Sequence, residues 1–282
     1  MKEGTERNIR LIALDLDGTT LDSAGHLPAE NKAALERAIA AGVNVVVASG
    51  RCRQALPEEV IQIKGVQYAI SSNGAMITDL RSGERIYMNC ISKDAIRRVK
   101  EIVEEHGYMI EVFVDGTAYM ERSIWEDIRD NGIDYRRREY ILTTRNPVDN
   151  IIGFMMDHDE EIENINFFFE DMAEKPAIGK VLSQLEDDAT LTTSFDHNWE
   201  IGGKTTSKAE ALRQLSGILA VETEEMMSFG DSPNDIPMIE AAGIGVAVGN
   251  AKEPVKEAAD YITLSNDDAG VARAVEKFVF GE

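Results

Sequence analysis

Short apolar runs that each end in a polar or acidic cluster constrain this chain more than any other feature. Leu11, Ile12, Ala13 and Leu14, within residues 10–15, form the first run, and it leads into Asp15-Leu16-Asp17-Gly18-Thr19. Val43 to Ala48 form a second run that ends at Ser49-Gly50-Arg51. Met226 to Phe229 lead into Gly230-Asp231-Ser232-Pro233-Asn234-Asp235. Runs this short, apolar without alternation, read as strands buried on both faces. Tyr68 to Ser71 and Ile244 to Val248 read the same way. Helical patterns lie between them. One opens near Pro28, carries Leu35, Ala38 and Ile39 on one side and stops at Gly42; others span Lys208 to Leu219 and Pro233 to Ala242. A further helix is expected directly after Arg51. Strands alternating with helices predict parallel βαβ units, and such sheets bind ligands beyond the carboxyl ends of their strands.

From about Ile86 to Asp196 the texture changes. A helix over Lys93 to His106, with Ile96, Val99, Ile102 and Val103 inward, alternates with longer strands expected at Tyr108 to Val114, Ile151 to Met156 and Thr190 to Phe195. The expected architecture is therefore α/β: a Rossmann-like parallel-sheet core from residues 1–85 and 197–282, with an α+β cap inserted over 86–196. A chain of 282 residues is long enough for two such units, each burying a core without disulfides or structural metal.

Composition narrows the partners. A net charge of −22 repels nucleic acid and anionic lipid, so neither is expected to bind. The two cysteines, Cys52 and Cys90, give neither a disulfide framework nor a zinc site. Cys52 does not begin a Cys-x5-Arg loop, because Glu58 occupies the arginine position. The four histidines, at 26, 106, 158 and 197, show no ligand spacing. The polar N-terminus lacks the apolar stretch of a signal peptide, and no run approaches the ~20 residues of a membrane span. The expected setting is soluble and cytoplasmic.

Asp15 and Asp17 stand two apart where the first strand ends, so alternation sends both carboxylates the same way. Converging carboxylates require a cation or a shared proton. Taken alone they are most simply solvated turn acids, just as Asp231 and Ser232 suit a helix cap, Ser49-Gly50 an ordinary turn and Lys208 a surface position. Two acidic clusters, each at the end of a predicted parallel strand, change that balance. Oxygen ligands without imidazoles point to a hard cation, Mg2+. Ser49, the nearby backbone N–H groups and Lys208 would then face an anion.

The order DLDGT (15–19), Ser49-Gly50-Arg51, Lys208 and GDSPND (230–235) resembles the four motifs of the haloacid dehalogenase superfamily. The NGAM at 73–76 and the GIGVAVGNA at 243–251 resemble its Cof-type phosphatases, whose α+β cap lies between the second and third motifs. The resemblance implies a Mg2+-dependent phosphatase of small phosphorylated metabolites, sugar phosphates above all, acting through an aspartyl-phosphate. It implies Asp15 as nucleophile and Asp17 as general acid and base. Asp15, the backbone carbonyl of Asp17 and Asp231 would hold the metal. Ser49, Gly50, Lys208 and Asn234 would bind phosphate, and Asp235 would orient Lys208 or the metal's waters. Lys208 is preferred over Lys204 because it precedes the helix, although Ala209 stands where the family commonly has glycine. Thr20, often apolar in the family, is not expected to touch the chemistry. The expected partner is the small substrate, and the expected state is a monomer or small homo-oligomer. A phosphomutase with the same nucleophile and a non-catalytic phosphometabolite sensor are the alternatives.

Other features have plainer readings. Arg136-Arg137-Arg138 is the one basic run in an acidic cap and is expected to be a solvated strand face or a partner of nearby glutamates; recognition of a second phosphate or a carboxylate is the alternative. Phe167-Phe168-Phe169 reads as a cap strand, and Cys52 as a small buried side chain. The Asp187-Asp188 and Asp267-Asp268 pairs read as surface turns. Gly243, Gly245 and Gly249 do not give a dinucleotide fingerprint.

Overall fold

The computed structural model describes residues 8–282. Its strands are β1 (Leu11–Leu14), β2 (Asn44–Ala48), β3 (Tyr68–Ser71), β4 (Met76–Asp79), β5 (Arg85–Met88), β6 (Met109–Val114) and β7 (Thr117–Glu121), followed by β8 (Arg145–Val148), β9 (Ile162–Phe168), β10 (Ala189–Thr192), β11 (Asn198–Gly203), β12 (Met226–Gly230), β13 (Ile244–Ala247) and β14 (Tyr261–Ile262). They form an eight-stranded sheet in the order β14-β13-β12-β1-β2-β3-β4-β5 and a six-stranded sheet in the order β10-β11-β9-β6-β7-β8. In the first sheet, β14 through β3 run parallel, while β4 and β5 are antiparallel additions at one edge.

Register places the site. Leu14 pairs with Phe229 of β12 on one side and with Val47 of β2 on the other. The residues that follow, Asp15, Asp231 and Ser49, therefore emerge together at the carboxyl edge of the sheet, where parallel sheets bind ligands. Both faces of the sheet are covered, which is why its central strands are apolar throughout. Ile12, Leu14, Val45 and Val47 pack with Leu35 and Ala38 of the helix Ala29–Ala40 and with Val271 and Val275 near the C-terminus. Leu11, Ala13, Val46 and Ile70 face Ala211, Leu212 and Leu215 of the helix Lys208–Leu219. Each Val, Leu or Ile among them contributes about 1.5–3 kcal/mol on burial.

The cap sheet is antiparallel apart from the β7–β8 pair. The helix Lys93–His106 covers it with Ile96, Val99, Ile102 and Val103 buried as the periodicity predicts, capped by Ser92 and stopped at Gly107. Phe167 and Phe168 lie in β9, as expected for a cap strand.

Four local expectations are corrected. Arg85–Met88 pairs with β4 in the core sheet, and Asn198–Gly203 pairs with β9 and β10 in the cap sheet. By strand pairing the crossings fall at 89–92 and 204–207, not at 86 and 197; long-range pairing decides this, and no local composition shift marks it. Ile151–Asp157 is a helix, not a strand: Asn150 caps it through Gly153 N–H at 2.9 Å, and Ile151 and Met155 face the core. The strand expected to reach Phe195 ends at Thr192. No long helix follows Arg51. The Gln54 N–H bonds to the Gly116 carbonyl of the cap at 2.8 Å and Pro57 interrupts the chain, leaving only the short turns Arg53–Ala55 and Glu58–Ile61.

Candidate active site

Asp15 ends β1, and its Oδ1 accepts from Lys208 Nζ at 2.5 Å. Lys208 opens its helix with a fully buried side chain, and Nζ also donates to Asp235 Oδ1 at 2.6 Å. Burial opposes the lysine's charge, yet Asp15 and Asp235 outweigh it and raise its pKa, so the ammonium is fixed. Lys204, four residues earlier, is exposed and Lys208 is buried. The other Asp235 oxygen accepts from the N–H groups of Asp231 and Ser232, each at 3.0 Å. Asp235 thus ties the acidic loop to Lys208.

Asp231 accepts from Thr19 Oγ1 at 3.1 Å and from Ser232 Oγ at 3.0 Å. Burial, reinforced by Asp235, pushes its pKa up to about 6. Asp15 is raised well above the usual carboxylate range, first by burial and then by Asp235, with Lys208 opposing. Gly18 permits the crowding. Its φ is +77°, and a Cβ there would stand 2.8 Å from Asp231 Oδ2. Thr20 reaches no reacting atom but braces the backbone beneath them, its Oγ1 donating to the Asp15 carbonyl at 2.5 Å.

Oxygens of Asp15, Asp231 and Asp235 lie within 4.8 Å of one another. Hard oxygen donors packed with this much mutual repulsion suit a divalent cation. Asp235 is already saturated by Lys208 and two N–H groups, so Asp15 and Asp231 are the carboxylates with capacity left. Asn234 Oδ1, buried in the same loop, has no hydrogen-bond partner among the described residues. An orphan acceptor of that kind fits a water held on a cation. These residues therefore fit Mg2+.

The Asp17 side chain is not in that cluster. Arg51 holds both its oxygens, Nε at 2.7 Å and Nη2 at 2.6 Å, and Asp17 keeps 59% of its side chain exposed. Ser49 is buried, its Oγ accepting from Arg51 N–H at 3.2 Å. Asp15, Asp17, Ser49, Gly50, Asp231 and Asn234 all line one cavity of about 630 Å³, roofed by the cap.

Sequence reasoning missed the residues that join cap to core. Ser72 Oγ donates to Glu163 at 2.6 Å, and Asn73 Nδ2 donates to Glu200 at 2.7 Å. Both glutamates are buried in cap strands. A glutamate inside an otherwise buried strand is a usable signal, but a boundary expected at 197 assigns β11 to the core. The arginine run is no strand face. Arg136 pairs with buried Glu111 at 2.6 Å, as a partner of a glutamate, whereas Arg137 donates to the carbonyls of Ser23 and Ala24 in the core. Cys52 is buried as expected.

Known proteins agree with this architecture. Residues 12–275 match the haloacid dehalogenase-like hydrolase family. Phosphatase YwpJ of Bacillus subtilis (strain 168) is 33% identical over 285 aligned residues, covering 95% of this chain and 99% of that protein. The 5-amino-6-(5-phospho-D-ribitylamino)uracil phosphatase YcsE of the same organism is 30% identical, covering 96% of each. A solved haloacid dehalogenase-like hydrolase from B. subtilis superposes with a TM-score of 0.81 at 32% identity, covering 95% of this chain and 99% of that one. The fold and site define a capped α/β enzyme of hydrolase type. The chain belongs to the haloacid dehalogenase-like hydrolases, with the inserted α+β cap of the Cof-type phosphatases. Among the described residues no helix is long and apolar enough to cross a membrane.

Proposed function

We propose that this enzyme is a Mg2+-dependent phosphatase that hydrolyses small phosphorylated metabolites through an aspartyl-phosphate on Asp15. The observation that carries the reading is Asp15 at the carboxyl edge of the sheet, 2.5 Å from a buried lysine and clustered with Asp231 in a roofed cavity. Lys208 opposes the burial that raises the Asp15 pKa, and a cation held beside it would keep the group as the carboxylate that attacks phosphorus. Asp15 and Asp231, with the Asp17 carbonyl, would hold Mg2+, which offsets the repulsion between an anionic nucleophile and an anionic ester.

In the first step an Asp15 oxygen bonds to phosphorus and the ester P–O bond breaks. Asp17, in its acid form, gives its proton to the departing alkoxide. In the second step Asp17 takes a proton from water as that water attacks phosphorus, releasing inorganic phosphate and regenerating the Asp15 carboxylate. Arg51 holds both Asp17 oxygens, so Asp17 exchanges at least one of them for the leaving oxygen during turnover. Ser49, the Gly50 N–H, Lys208 and Asn234 bind the transferring phosphoryl oxygens. Asp235 keeps Lys208 in place. The cap limits the leaving group to small molecules and screens the acyl-phosphate from bulk water. Sugar phosphates are the favoured class.

The test is phosphate release from a panel of sugar phosphates, nucleotides, pyridoxal phosphate and an aryl phosphate. It is run with Mg2+, with EDTA and with Asp15→Asn. Release that needs Mg2+ and is lost in Asp15→Asn supports the reading. Isomerised sugar phosphate in place of inorganic phosphate would replace it with a mutase.

A further inference from the structure

The roof of the cavity carries more positive charge than the cap's own carboxylates neutralise. Arg136 and Arg145 have side chains only 9% and 5% exposed, and both bond to the one carboxylate of Glu111. Arg136 Nη1 donates to Oε1 at 2.6 Å, and Arg145 Nε donates to Oε2 at 2.9 Å. Two guanidiniums against one carboxylate leave a buried excess charge, which is costly without a further counterion. Donors are also in excess. Two guanidiniums offer about ten N–H groups. Beyond Glu111, the described hydrogen bonds add only Arg145 Nη1 to Thr144 Oγ1, at 2.7 Å. Aromatic faces flank the rest, with Arg136 4.1 Å from the Phe168 ring centre and Arg145 4.8 Å from that of Tyr140.

Arg136, Arg137 and Arg145 all line the cavity. Arg137 donates to the carbonyl oxygens of Ala24 and Ser23, at 2.6 and 2.5 Å, and a carbonyl carries no formal charge. Glu200, the cap carboxylate that also lines the cavity, bonds instead to Asn73, Ser194 and Asn198. A neutral leaving group would not require this roof, least of all in a chain of net charge −22.

The position relative to the chemistry is set by Tyr140. Its ring centre is 4.8 Å from the Arg145 guanidinium and 4.9 Å from that of Arg51, and Arg51 holds Asp17. The excess charge is thus one aromatic ring away from the group assigned to protonate the leaving oxygen. Asp15, Asp17, Arg136 and Arg145 line the same cavity, so the leaving group of a phosphate ester at Asp15 would share that cavity with both guanidiniums. Guanidinium forks match planar carboxylates and phosphates alike.

We infer that the cap recognises a second oxyanion, a carboxylate or a phosphate, carried on the leaving group of the ester hydrolysed beneath it. This rests on the phosphatase reading of the same site. The experiment measures kcat/KM of the full chain with Mg2+ for three related esters: a hexose 6-phosphate, the corresponding 6-phosphohexonate and the hexose 1,6-bisphosphate. At least one of the last two should exceed the first by about tenfold or more, chiefly through KM, as expected of charge-assisted contacts in a buried site. That ratio should fall toward one in Arg145→Gln and decline in Arg137→Gln, whose exposed side chain makes it the safer variant for folding. The wild-type ratio is decisive even if Arg145→Gln does not fold. Equal kcat/KM across the three esters overturns the inference and leaves the phosphatase reading standing. Release from none of them, and from none of the wider panel, removes both.

Discussion

Asn73 Nδ2 donates to Glu200 Oε2 at 2.7 Å while its Oδ1 accepts from Asn234 Nδ2 at 3.0 Å. One core side chain therefore spans from a buried cap carboxylate to the acidic loop that carries Asp231. The pairing also fixes which end of each amide faces which neighbour, because Glu200 accepts and Asn234 must donate. Asn73 holds a φ of 56°, a left-handed conformation that asparagine tolerates better than most residues. Asn73→Ala removes both bonds and adds backbone strain, with an expected loss of about 2–4 kcal/mol in stability. Asn73→Gly removes the same bonds without the strain. Urea unfolding of the pair separates the two costs. Phosphate-release rates should fall in both variants, because Asn234 loses its support; unchanged rates in the glycine variant would show that the bridge holds the cap and nothing more.

What was legible in the sequence follows from locality. Asp15, Ser49 and Asp231 each end an apolar run, so parallel pairing of those runs brings them together whatever the cap does. Lys208 taken alone reads as a surface position, and only the family resemblance, which sets a lysine at the start of that helix, singles it out. The Asn73–Glu200 and Arg51–Asp17 pairs were not, since the first joins residues 127 apart and neither has local periodicity. The cap boundaries failed for the same reason. Ile151–Asp157 failed because its β-branched start imitates a strand, while a seven-residue helix is too short to declare a period.

Gly74 tests the packing between the Asn73 turn and the helix Lys208–Leu219. Its φ is +100°, and a Cβ there would stand 2.1 Å from the Ser207 carbonyl oxygen. Ser207 caps the helix that begins at Lys208. Gly74→Ala must therefore shift the helix start or the turn, and an expected destabilisation of about 2–4 kcal/mol follows from strain and overpacking together. Thermal unfolding measures it. Activity should fall further than stability alone explains, because Lys208 moves with its cap.

Mg2+ should stabilise the folded chain independently of any turnover. The Asp15 and Asp231 carboxylates repel each other in a buried site, and a cation bound only by the native state adds about 2.7 kcal/mol at a hundred times its dissociation constant. The melting temperature should rise with Mg2+ and return on chelation. Asp231→Asn relieves the repulsion itself, so that variant should melt higher than the wild type without metal and gain less from Mg2+. An equal metal-induced rise in both proteins would place the cation elsewhere.

Glu111 contributes a pH dependence to the cap whose sign opposes that of Glu163 and Glu200, both raised by burial. Burial pushes the Glu111 pKa up, but the charges of Arg136 and Arg145 outweigh burial and hold it below its ordinary value of 4.5. A carboxylate depressed in the folded state contributes stability that is fully present above its unfolded pKa and is lost as pH falls through the folded one. Glu111→Gln leaves two buried guanidiniums without their carboxylate, so at neutral pH it should cost about 3–5 kcal/mol. The gap between wild type and variant should stay level from pH 7 down to about 5 and narrow only as pH drops below 4.5, toward the folded value. Urea midpoints measured across that range test both the size and the sign. A gap that widened on acidification would mean that Glu111 is protonated in the folded cap, and the roof would then carry two uncompensated charges.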